Sequence, residues 1–411
     1  MIADRCRVCD TKLEQVFVDL GMSPISNDYI AVEKANAMEP FYPLKVYVCE
    51  SCWLVQLPAV QTADSIFRDD YAYFSSMSKS WVDHAKRYVE MVSDRFAIGS
   101  QQFVVEIASN DGYLLQYFVQ RDVPVLGIEP CGNVAKAAEK IGVPSLTEFF
   151  GTKLAAQLVT DGPKPDLIVG NNVLAHVPDL RDFVGGMKTL LADSGVITME
   201  FPHLAKLIEF NQFDTIYHEH FSYFSLLAVK NVFKLHGLRV FDVEELSTHG
   251  GSLRIFACHD DDSRADSDAV GELLERERQA GLDNLDIYRD FEKRVQKTKR
   301  ELLKFLVGVR EEGKTVVGYG APAKGNTLLN FCGVRTDFLD YTVDIAPSKQ
   351  DTLLPGTRIP VFAPDKILET RPDYVLILPW NIKDEIMDSM SAVREWGGRF
   401  LVPIPEVRLL D

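Results

Sequence analysis

With 411 residues, of which 46% are hydrophobic and 25% charged, the chain has an ordinary globular composition and room for about three domains of roughly 150 residues. Its net charge of −16, without any run of basic residues, argues against nucleic-acid binding. The N-terminus lacks a signal-peptide pattern and no segment approaches the ~18 apolar residues of a membrane span, so we expect a cytoplasmic protein.

Two Cys-x-x-Cys pairs lie near the N-terminus, Cys6 with Cys9 and Cys49 with Cys52. Each pair aims two thiolates at one point, and two pairs complete the tetrahedral sulfur cage that structural zinc prefers. A redox dithiol would need only one pair inside a thioredoxin-like βαβ unit, which this segment lacks. The sequence therefore predicts a structural Zn²⁺ ion in a small N-terminal module of short strands.

A helical stretch near residues 81–96 is followed by strands that alternate with helices. Such alternation predicts a doubly wound parallel sheet, in which ligands bind at the carboxyl ends of the strands. The four predicted strands lie in the segments QFVVEI, VPVLGIEP, PDLIVGNN and SGVITMEFP.

Acidic residues follow the first two of these strands. Glu106 and Asp111 flank a small polar turn, and Glu129, at the end of the next strand, can accept hydrogen bonds from both hydroxyls of a ribose. Gly112 is the only glycine of the turn, so the turn lacks the GxGxxG pattern that accommodates a pyrophosphate, while its acids suit a cationic amine. S-adenosylmethionine therefore fits better than NAD, and a turn without a ligand is the remaining alternative. The candidate cofactor-binding residues are Glu106, Ala108, Asn110, Asp111, Gly112, Glu129, Pro130, Asn171 and Asn172.

The segment YHEH, residues 217–220, places Tyr217, Glu219 and His220 close together. Removal of a proton alpha to a ketone requires a base and a group that holds the oxyanion. A histidine meets the first need, and the neighbouring side chains can meet the second or orient the base. An irregular or helical segment would turn these side chains toward one cleft, whereas a strand would turn His220 away. A structural core histidine is the alternative.

Two glycine-containing segments indicate substrate contacts. His249 and Arg254 lie around a Gly-Gly pair that precedes a strand, although Arg254 can equally pair with an acid. Further on, GYGAPAKG opens a second strand–turn–helix unit that matches neither a dinucleotide loop nor a Walker loop. Such turns bind phosphate through backbone N–H groups, with NAD binding and a purely structural turn as alternatives. The candidate substrate-binding residues are His249, Arg254, Gly320, Lys324, Gly325, Asn326, Lys349, Trp380 and Asn381.

Six motifs together resemble the S-adenosylmethionine-dependent sugar C-methyltransferase family. In chain order they are CRVCD with CESCW, YAYFSS, VVEIASNDGYLL, GNNVLAHV, YHEHFSYFS and GYGAPAKGNTLLN. The resemblance implies an α/β protein with an N-terminal zinc-binding module, a central class I methyltransferase Rossmann-like domain and a C-terminal Rossmann-like domain that binds a sugar nucleotide. We assign these to residues 1–75, 76–262 and 263–411.

The resemblance also implies an activity, methyl transfer from S-adenosylmethionine to carbon 3 of a deoxythymidine-diphosphate 4-keto-deoxysugar. Tyr217, Glu219 and His220 match the family's Y-x-E-H motif, with His220 as the favoured base. The alternatives are epimerisation or rearrangement through the same enolate, and an O- or N-methyltransferase acting on another acceptor.

Two further positions match active-site residues of the family. His176, in VLAHV, corresponds to a second active-site histidine. Tyr73, in YAYFSS, corresponds to a tyrosine that the N-terminal module sends into the cleft, with Tyr71 as the neighbouring alternative. We expect a small-molecule nucleotide-sugar partner and neither nucleic acid nor membrane; a monomer is compatible with the sequence, which does not set the oligomeric state.

Overall fold

The computed structural model describes residues 4–60, 62 and 74–410. These residues form three β-sheets and the helices that cover them. Tyr71 and Tyr73, the two candidate tyrosines of the YAYFSS motif, lie outside the described residues.

The first sheet belongs to the N-terminal module, but its last strand comes from the middle of the chain. Its order is β1-β3-β4-β10, and all neighbouring strands are antiparallel. The strands are β1 (Gln15–Ser23), β3 (Tyr42–Val48), β4 (Val55–Gln56) and β10 (Ser222–Tyr223). Because β10 directly follows the YHEH segment, this sheet helps to fix where that segment lies.

The central sheet has the order β11-β12-β9-β8-β5-β6-β7. Its strands are β5 (Val104–Ile107), β6 (Val125–Ile128), β7 (Ser145–Leu146), β8 (Leu167–Asn171), β9 (Val196–Pro202), β11 (Leu238–Leu246) and β12 (Ser252–His259). The first five are parallel, and β12 runs antiparallel to both of its neighbours. The predicted doubly wound sheet is thus confirmed, since parallel strands covered on both faces read as apolar runs.

Helices cover both faces of the central sheet or connect its strands. They are α1 (Lys79–Phe96), α2 (Leu115–Val119), α3 (Gly132–Lys140), α4 (Thr152–Asp161), α5 (Leu180–Leu190), α6 (Leu204–Glu209), α7 (Leu226–Lys234) and α8 (Asp268–Gln279). Short 3-10 turns at Leu174–His176 and Thr248–Gly250 follow β8 and β11. They carry two of the candidate histidines.

The third sheet has the order β19-β18-β17-β13-β14-β16-β15-β2, with a parallel centre from β18 to β16. Its strands are β2 (Ile30–Ala31), β13 (Val316–Tyr319), β14 (Thr342–Val343), β15 (Thr352–Leu353), β16 (Pro360–Phe362), β17 (Tyr374–Ile377), β18 (Arg399–Val402) and β19 (Arg408–Leu410). The accompanying helices are α9 (Leu285–Glu311), α10 (Ala323–Cys332), α11 (Asp365–Thr370) and α12 (Lys383–Ser389). This sheet is the predicted second Rossmann-like unit.

The N-terminal sheet shares one hydrophobic core with the C-terminal domain. Phe17 of β1 stacks on Phe291 of α9, with ring centroids 4.5 Å apart and ring planes 4° apart, and β2 pairs with the edge strand β15. Stacked aromatic pairs of this kind add to the stabilisation from burial alone. The sequence predicts a module with little apolar bulk of its own, and the structure supplies that bulk from α9. The domain boundaries given above remain our proposal.

Candidate active site

Residues 217–220 form a tight turn rather than a helix or a strand. The N–H of His220 donates to the carbonyl of Tyr217 at 2.9 Å. The turn brings the two rings together, with centroids 4.0 Å apart, and the Tyr217 hydroxyl lies 2.7 Å from His220 Nε2. The irregular conformation, one of those that the sequence left open, is the one observed.

The hydrogen bonds of His220 fix its tautomer. Nδ1 lies 2.9 Å from the carbonyl oxygen of Thr215. A carbonyl only accepts, so Nδ1 carries the proton and Nε2 presents a lone pair, to which the Tyr217 hydroxyl donates. Burial, with His176 nearby, lowers the pKa of His220 well below its usual range. The imidazole is therefore neutral at physiological pH, the state in which it accepts a proton.

A second neutral imidazole lies against the first. His176 ends the turn after β8, and its ring centroid is 4.7 Å from that of His220. Its Nδ1 donates to the carbonyl of Glu219 at 2.8 Å, and the N–H of Phe221 donates to the carbonyl of Ala175 at 2.7 Å. Burial lowers the pKa of His176 to about 4. The central domain thus holds the YHEH segment from one side.

Glu219 is held from the other side, by the N-terminal module. Its side chain is 3% exposed, and both carboxylate oxygens accept from the Asn27 amide nitrogen, at 2.8 and 2.9 Å. Burial raises the pKa of Glu219 to about 7, against the effect of this hydrogen bond. His218 points away toward the carbonyl of Pro43, 3.2 Å from its Nε2, and takes no part in the cluster.

The turn after β5 has few N–H groups left for a ligand. Ala108 and Asn110 adopt φ values of 58° and 49°, in the left-handed region that non-glycine residues seldom occupy. The N–H groups of Ala108 and Ser109 donate to the carbonyl of Ile128, and the N–H of Asn110 donates to Glu129 at 3.0 Å. A phosphate would find these donors already used, which argues against a dinucleotide here.

Acceptors, by contrast, are available around this turn. Within the part of the chain that the structure describes, both Glu106 carboxylate oxygens, Asp111 Oδ1 and the Ser109 hydroxyl are buried without a hydrogen-bond partner. Burial raises the pKa of Glu106 well above its usual range, and the nearby carboxylates of Glu129 and Asp111 raise it further. Buried acceptors and acids of this kind fit the ammonium group and hydroxyls of S-adenosylmethionine.

The central and C-terminal domains contact each other near the YHEH segment. Asn172 Nδ2 lies 3.0 Å from His249 Nε2, and the adjoining Gly250 packs against Trp380, where a Cβ atom would lie 2.8 Å from the ring. Trp380 in turn donates to Asp214 at 2.6 Å. Candidate residues that are distant in sequence are thus brought together where the two domains touch.

Arg254 is buried in the central domain. Its guanidinium contacts the carboxylates of Glu200 and Glu244, each at 2.8 Å, and the imidazole of His84 lies 2.9 Å from Glu200 as well. Pairing with an acid, the alternative that the sequence left open for Arg254, is the arrangement observed. Its contact with substrate stays a prediction.

The glycine-rich turn lies at the carboxyl edge of the third sheet. Cβ atoms at Gly320 and Gly325 would lie 2.5 Å from Pro379 and 3.0 Å from Leu378, so both glycines permit close approach of the chain after β17. Asp344 accepts from the N–H of Ala321 at 2.7 Å. Helix α10 begins at this turn without a capping side chain, which leaves its first N–H groups for an anion.

Two lysines flank the same turn. Lys324 contacts Asn381 and lies over the Trp380 ring, 4.5 Å from its centroid. Lys349 lies 3.6 Å from Asp344 and donates to the carbonyl of Ala321 at 2.9 Å. Asn326 is buried and donates to the carbonyl of Ser26 at 2.6 Å, so it faces the N-terminal loop.

The four predicted cysteine ligands converge. The sulfur atoms of Cys6, Cys9, Cys49 and Cys52 all lie within 4.8 Å of one another, as a tetrahedral zinc site requires. The cluster therefore fits the predicted structural zinc. Gln56 donates to the Cys6 sulfur at 3.2 Å and accepts from the N–H of Arg7 at 3.0 Å, which connects the cluster to β4.

Several site residues escaped the sequence analysis. Asn27 lies in a segment predicted only as a short strand, and nothing near it indicates a partner 192 positions away. Asp214 and Thr215 precede YHEH without a motif of their own. Glu200 could have been predicted to have a charged partner, because it is an acid inside the apolar strand MEFP.

Comparisons with known proteins agree with this organisation. The family model described as "C-methyltransferase C-terminal domain" matches residues 247–405, a "Methyltransferase domain" model matches residues 82–243, and a zinc-binding domain model matches residues 6–67. The C-methyltransferase NovU of Streptomyces niveus is 37% identical over 408 residues, which covers 99% of this chain and 97% of NovU.

Similar solved structures include two other methyltransferases. Magnesium protoporphyrin IX methyltransferase from Synechocystis PCC 6803, with bound S-adenosylmethionine, is 16% identical and covers 43% of this chain and 77% of its own, with a TM-score of 0.33. The 1,6-didemethyltoxoflavin-N1-methyltransferase from Burkholderia thailandensis is 16% identical and covers 51% and 95%, with a TM-score of 0.38. Among the described helices of the present chain, none is long and apolar enough to cross a bilayer.

Proposed function

The chain belongs to the family of S-adenosylmethionine-dependent C-methyltransferases, and on that basis we propose that it methylates carbon 3 of a 4-keto-deoxysugar carried on a nucleotide diphosphate, with deoxythymidine diphosphate as the first candidate. The Tyr217–His220 pair carries this proposal. Its imidazole is neutral and tautomerically fixed, in a turn held by the central domain on one side and by the N-terminal module on the other. A cytoplasmic location belongs to the same proposal.

Residues of the YHEH segment have different roles in forming an enolate. His220 Nε2 takes the proton alpha to the ketone, because Nδ1 already carries the ring proton; for this step the Tyr217 hydroxyl turns from Nε2 to the enolate oxygen. Tyr217 then stabilises the enolate oxygen by a hydrogen bond that strengthens as charge develops, whereas neutral His176 already uses its one ring proton on the Glu219 carbonyl. S-adenosylmethionine, held by Glu106, Asp111 and Glu129, supplies an electrophilic methyl group when bound.

The nucleotide tail positions the sugar from a distance. The start of α10, Lys324 and Lys349 supply donors and positive charge at the edge of the third sheet that faces the YHEH segment. In a chain of net charge −16, such local cations are what a diphosphate needs. Binding energy from the tail then orients the ketone without touching the reacting atoms.

The test is turnover with a defined acceptor. We expect the wild-type enzyme to convert a deoxythymidine-diphosphate 4-keto-deoxysugar and S-adenosylmethionine to a product whose new methyl group is on carbon 3 by NMR. His220→Asn should abolish this turnover, while His236→Asn, a histidine change outside the site, should not. A methyl group on oxygen or nitrogen, or epimerised sugar without a methyl group, would contradict the proposal.

A further inference from the structure

The N-terminal module reaches the catalytic turn through one side chain. Among the residues that the structure describes, Asn27 is the only hydrogen-bond partner of the Glu219 carboxylate. We propose that Asn27 is a positioning residue, which orients the Glu219 carboxylate and ties it to the glycine-rich turn of the C-terminal domain. This inference rests on the proposed function, in which Glu219 belongs to the catalytic segment.

The geometry favours positioning over incidental contact. The Asn27 amide nitrogen is 2.8 Å from one Glu219 oxygen and 2.9 Å from the other, so it holds the plane of the carboxylate. Glu219 is buried, whereas Asn27 is exposed and has its other face toward solvent. A buried carboxylate without this donor would face a large desolvation cost.

The loop that carries Asn27 is fastened to the C-terminal domain on both sides of that residue. Before it, the Ser26 carbonyl accepts from Asn326 of α10 at 2.6 Å. After it, the Tyr29 hydroxyl donates to the carbonyl of Ala321 in the glycine-rich turn, and Ile30 pairs with Leu353 of β15. A shift of the turn on substrate binding would therefore move Asn27.

An uncharged donor suits this position. Burial raises the pKa of Glu219 to about 7, and the Asn27 hydrogen bond opposes that rise. The other titratable groups beside Glu219 are Tyr29 from the N-terminal loop, His176 from the turn after β8, and His218 and His220 on its own segment. A lysine in place of Asn27 would hold Glu219 permanently ionised, whereas an amide leaves it titratable near neutral pH.

The experiment measures the pKa of the Glu219 carboxyl group directly. Protein labelled with ¹³C at the glutamate carboxyl is titrated by NMR, and the Glu219 signal is identified by its loss in Glu219→Gln. We expect Asn27→Ala to raise the Glu219 midpoint by about one pH unit or more, because the only donor to the ionised form is removed. Asp28→Ala, an exposed neighbour in the same loop, is the matched control and should leave the midpoint unchanged.

A second measurement connects the titration to catalysis. One limb of the pH profile of kcat should disappear in Glu219→Gln, which identifies it as the ionisation of Glu219. In Asn27→Ala that limb should move to higher pH by the same amount as the NMR midpoint. A folded Asn27→Ala protein with an unmoved midpoint, or an equal shift in Asp28→Ala, would overturn the inference. Since the NMR titration needs no substrate, it stands even if the enzyme proves to methylate a different acceptor.

Discussion

At His220, a backbone carbonyl decides which ring nitrogen can act as a base. Thr215 accepts from Nδ1, so the lone pair of Nε2 is directed at the Tyr217 hydroxyl. The chemistry of the site therefore depends on the shape of the chain from residue 215 to residue 220 as much as on the identity of the histidine. Changing the partner of Nε2 tests this dependence without disturbing the fold.

Tyr217→Phe should lower kcat by about 100-fold or more, because the donor to Nε2 and to the enolate oxygen is lost. Affinity for S-adenosylmethionine, measured by calorimetry, should stay within about twofold of wild type, since Tyr217 has no part in the cofactor turn. The matched control is Tyr117→Phe, at a tyrosine on α2 that lies outside the YHEH segment. A kcat for Tyr217→Phe near that of wild type would contradict the role assigned to the hydroxyl.

Glu219→Gln should make the stability of the protein less dependent on pH. Burial raises the folded-state pKa of Glu219 from 4.5 to about 7, so wild type loses stability as pH rises through this window, because the carboxyl ionises in the unfolded chain while the buried one stays protonated. A glutamine stays neutral throughout. The stability of the variant relative to wild type should therefore increase by ~3 kcal/mol between pH 4 and pH 8 in urea unfolding. An unchanged difference would show that Glu219 is not buried as described.

The sequence predicts the residue types of the site better than their partners. The residue types of YHEH and their match to the family motif predict Tyr217, Glu219 and His220 as site residues, and the structure brings Tyr217 and His220 together. Asn27 could not be found in this way, because its contact with Glu219 joins segments 192 residues apart and leaves no local pattern. Arg254 shows the same limitation, since its carboxylate partners lie on other strands.

Among the elements, the zinc-bearing turn and the YHEH segment are joined by one side chain. Arg7, between Cys6 and Cys9, donates to the carbonyl of Leu57 and to that of Pro178 at 3.3 Å. Its guanidinium also lies over the Phe221 ring, 5.5 Å from the centroid. The first carbonyl belongs to the N-terminal module and the second follows the His176 turn, so Arg7 connects the segments of His176 and His220 to the zinc site.

Arg7→Met should lower kcat by roughly 10- to 100-fold with zinc still bound, because the segments that carry His176 and His220 lose their common support. Zinc content is measured by mass spectrometry and turnover by product formation. Arg5→Met, at an exposed position of the same turn, serves as the control. If Arg7→Met keeps full activity, the zinc module has only a folding role.

Short strands were the elements that the sequence predicted least well. Long apolar runs such as β5, β8 and β9 were predicted close to their observed positions, because each is buried along nearly its whole length. β2 and β10 have two residues each and pair with sheets of other domains. A strand of that length exists only because of its partner, so no local periodicity indicates it.

At the scale of the whole molecule, the three units pack against one another. The core that Phe17 shares with α9 and the contact of Gly250 with Trp380 tie the units together. The order of the domains could be predicted from the motifs, but their contacts could not, since these depend on side chains hundreds of residues apart. The proposed division of labour assigns the cofactor to the central sheet and the nucleotide to the third.

Lys324→Met tests this division. The KM for the sugar nucleotide should rise roughly tenfold or more, because a charged partner of the diphosphate is lost, while affinity for S-adenosylmethionine should be unchanged. Lys366→Met, at a surface lysine paired with Glu369, is the control. If Lys324→Met changes only the affinity for S-adenosylmethionine, the nucleotide does not bind at this turn.

The central claim is that His220 removes the proton from carbon 3, and isotope exchange tests it most directly. The enzyme is incubated in deuterium oxide with the 4-keto sugar nucleotide and without S-adenosylmethionine, and deuterium at carbon 3 is followed by NMR. We predict exchange with wild type and with His236→Asn, and none with His220→Asn. Exchange at the wild-type rate in His220→Asn would contradict the claim.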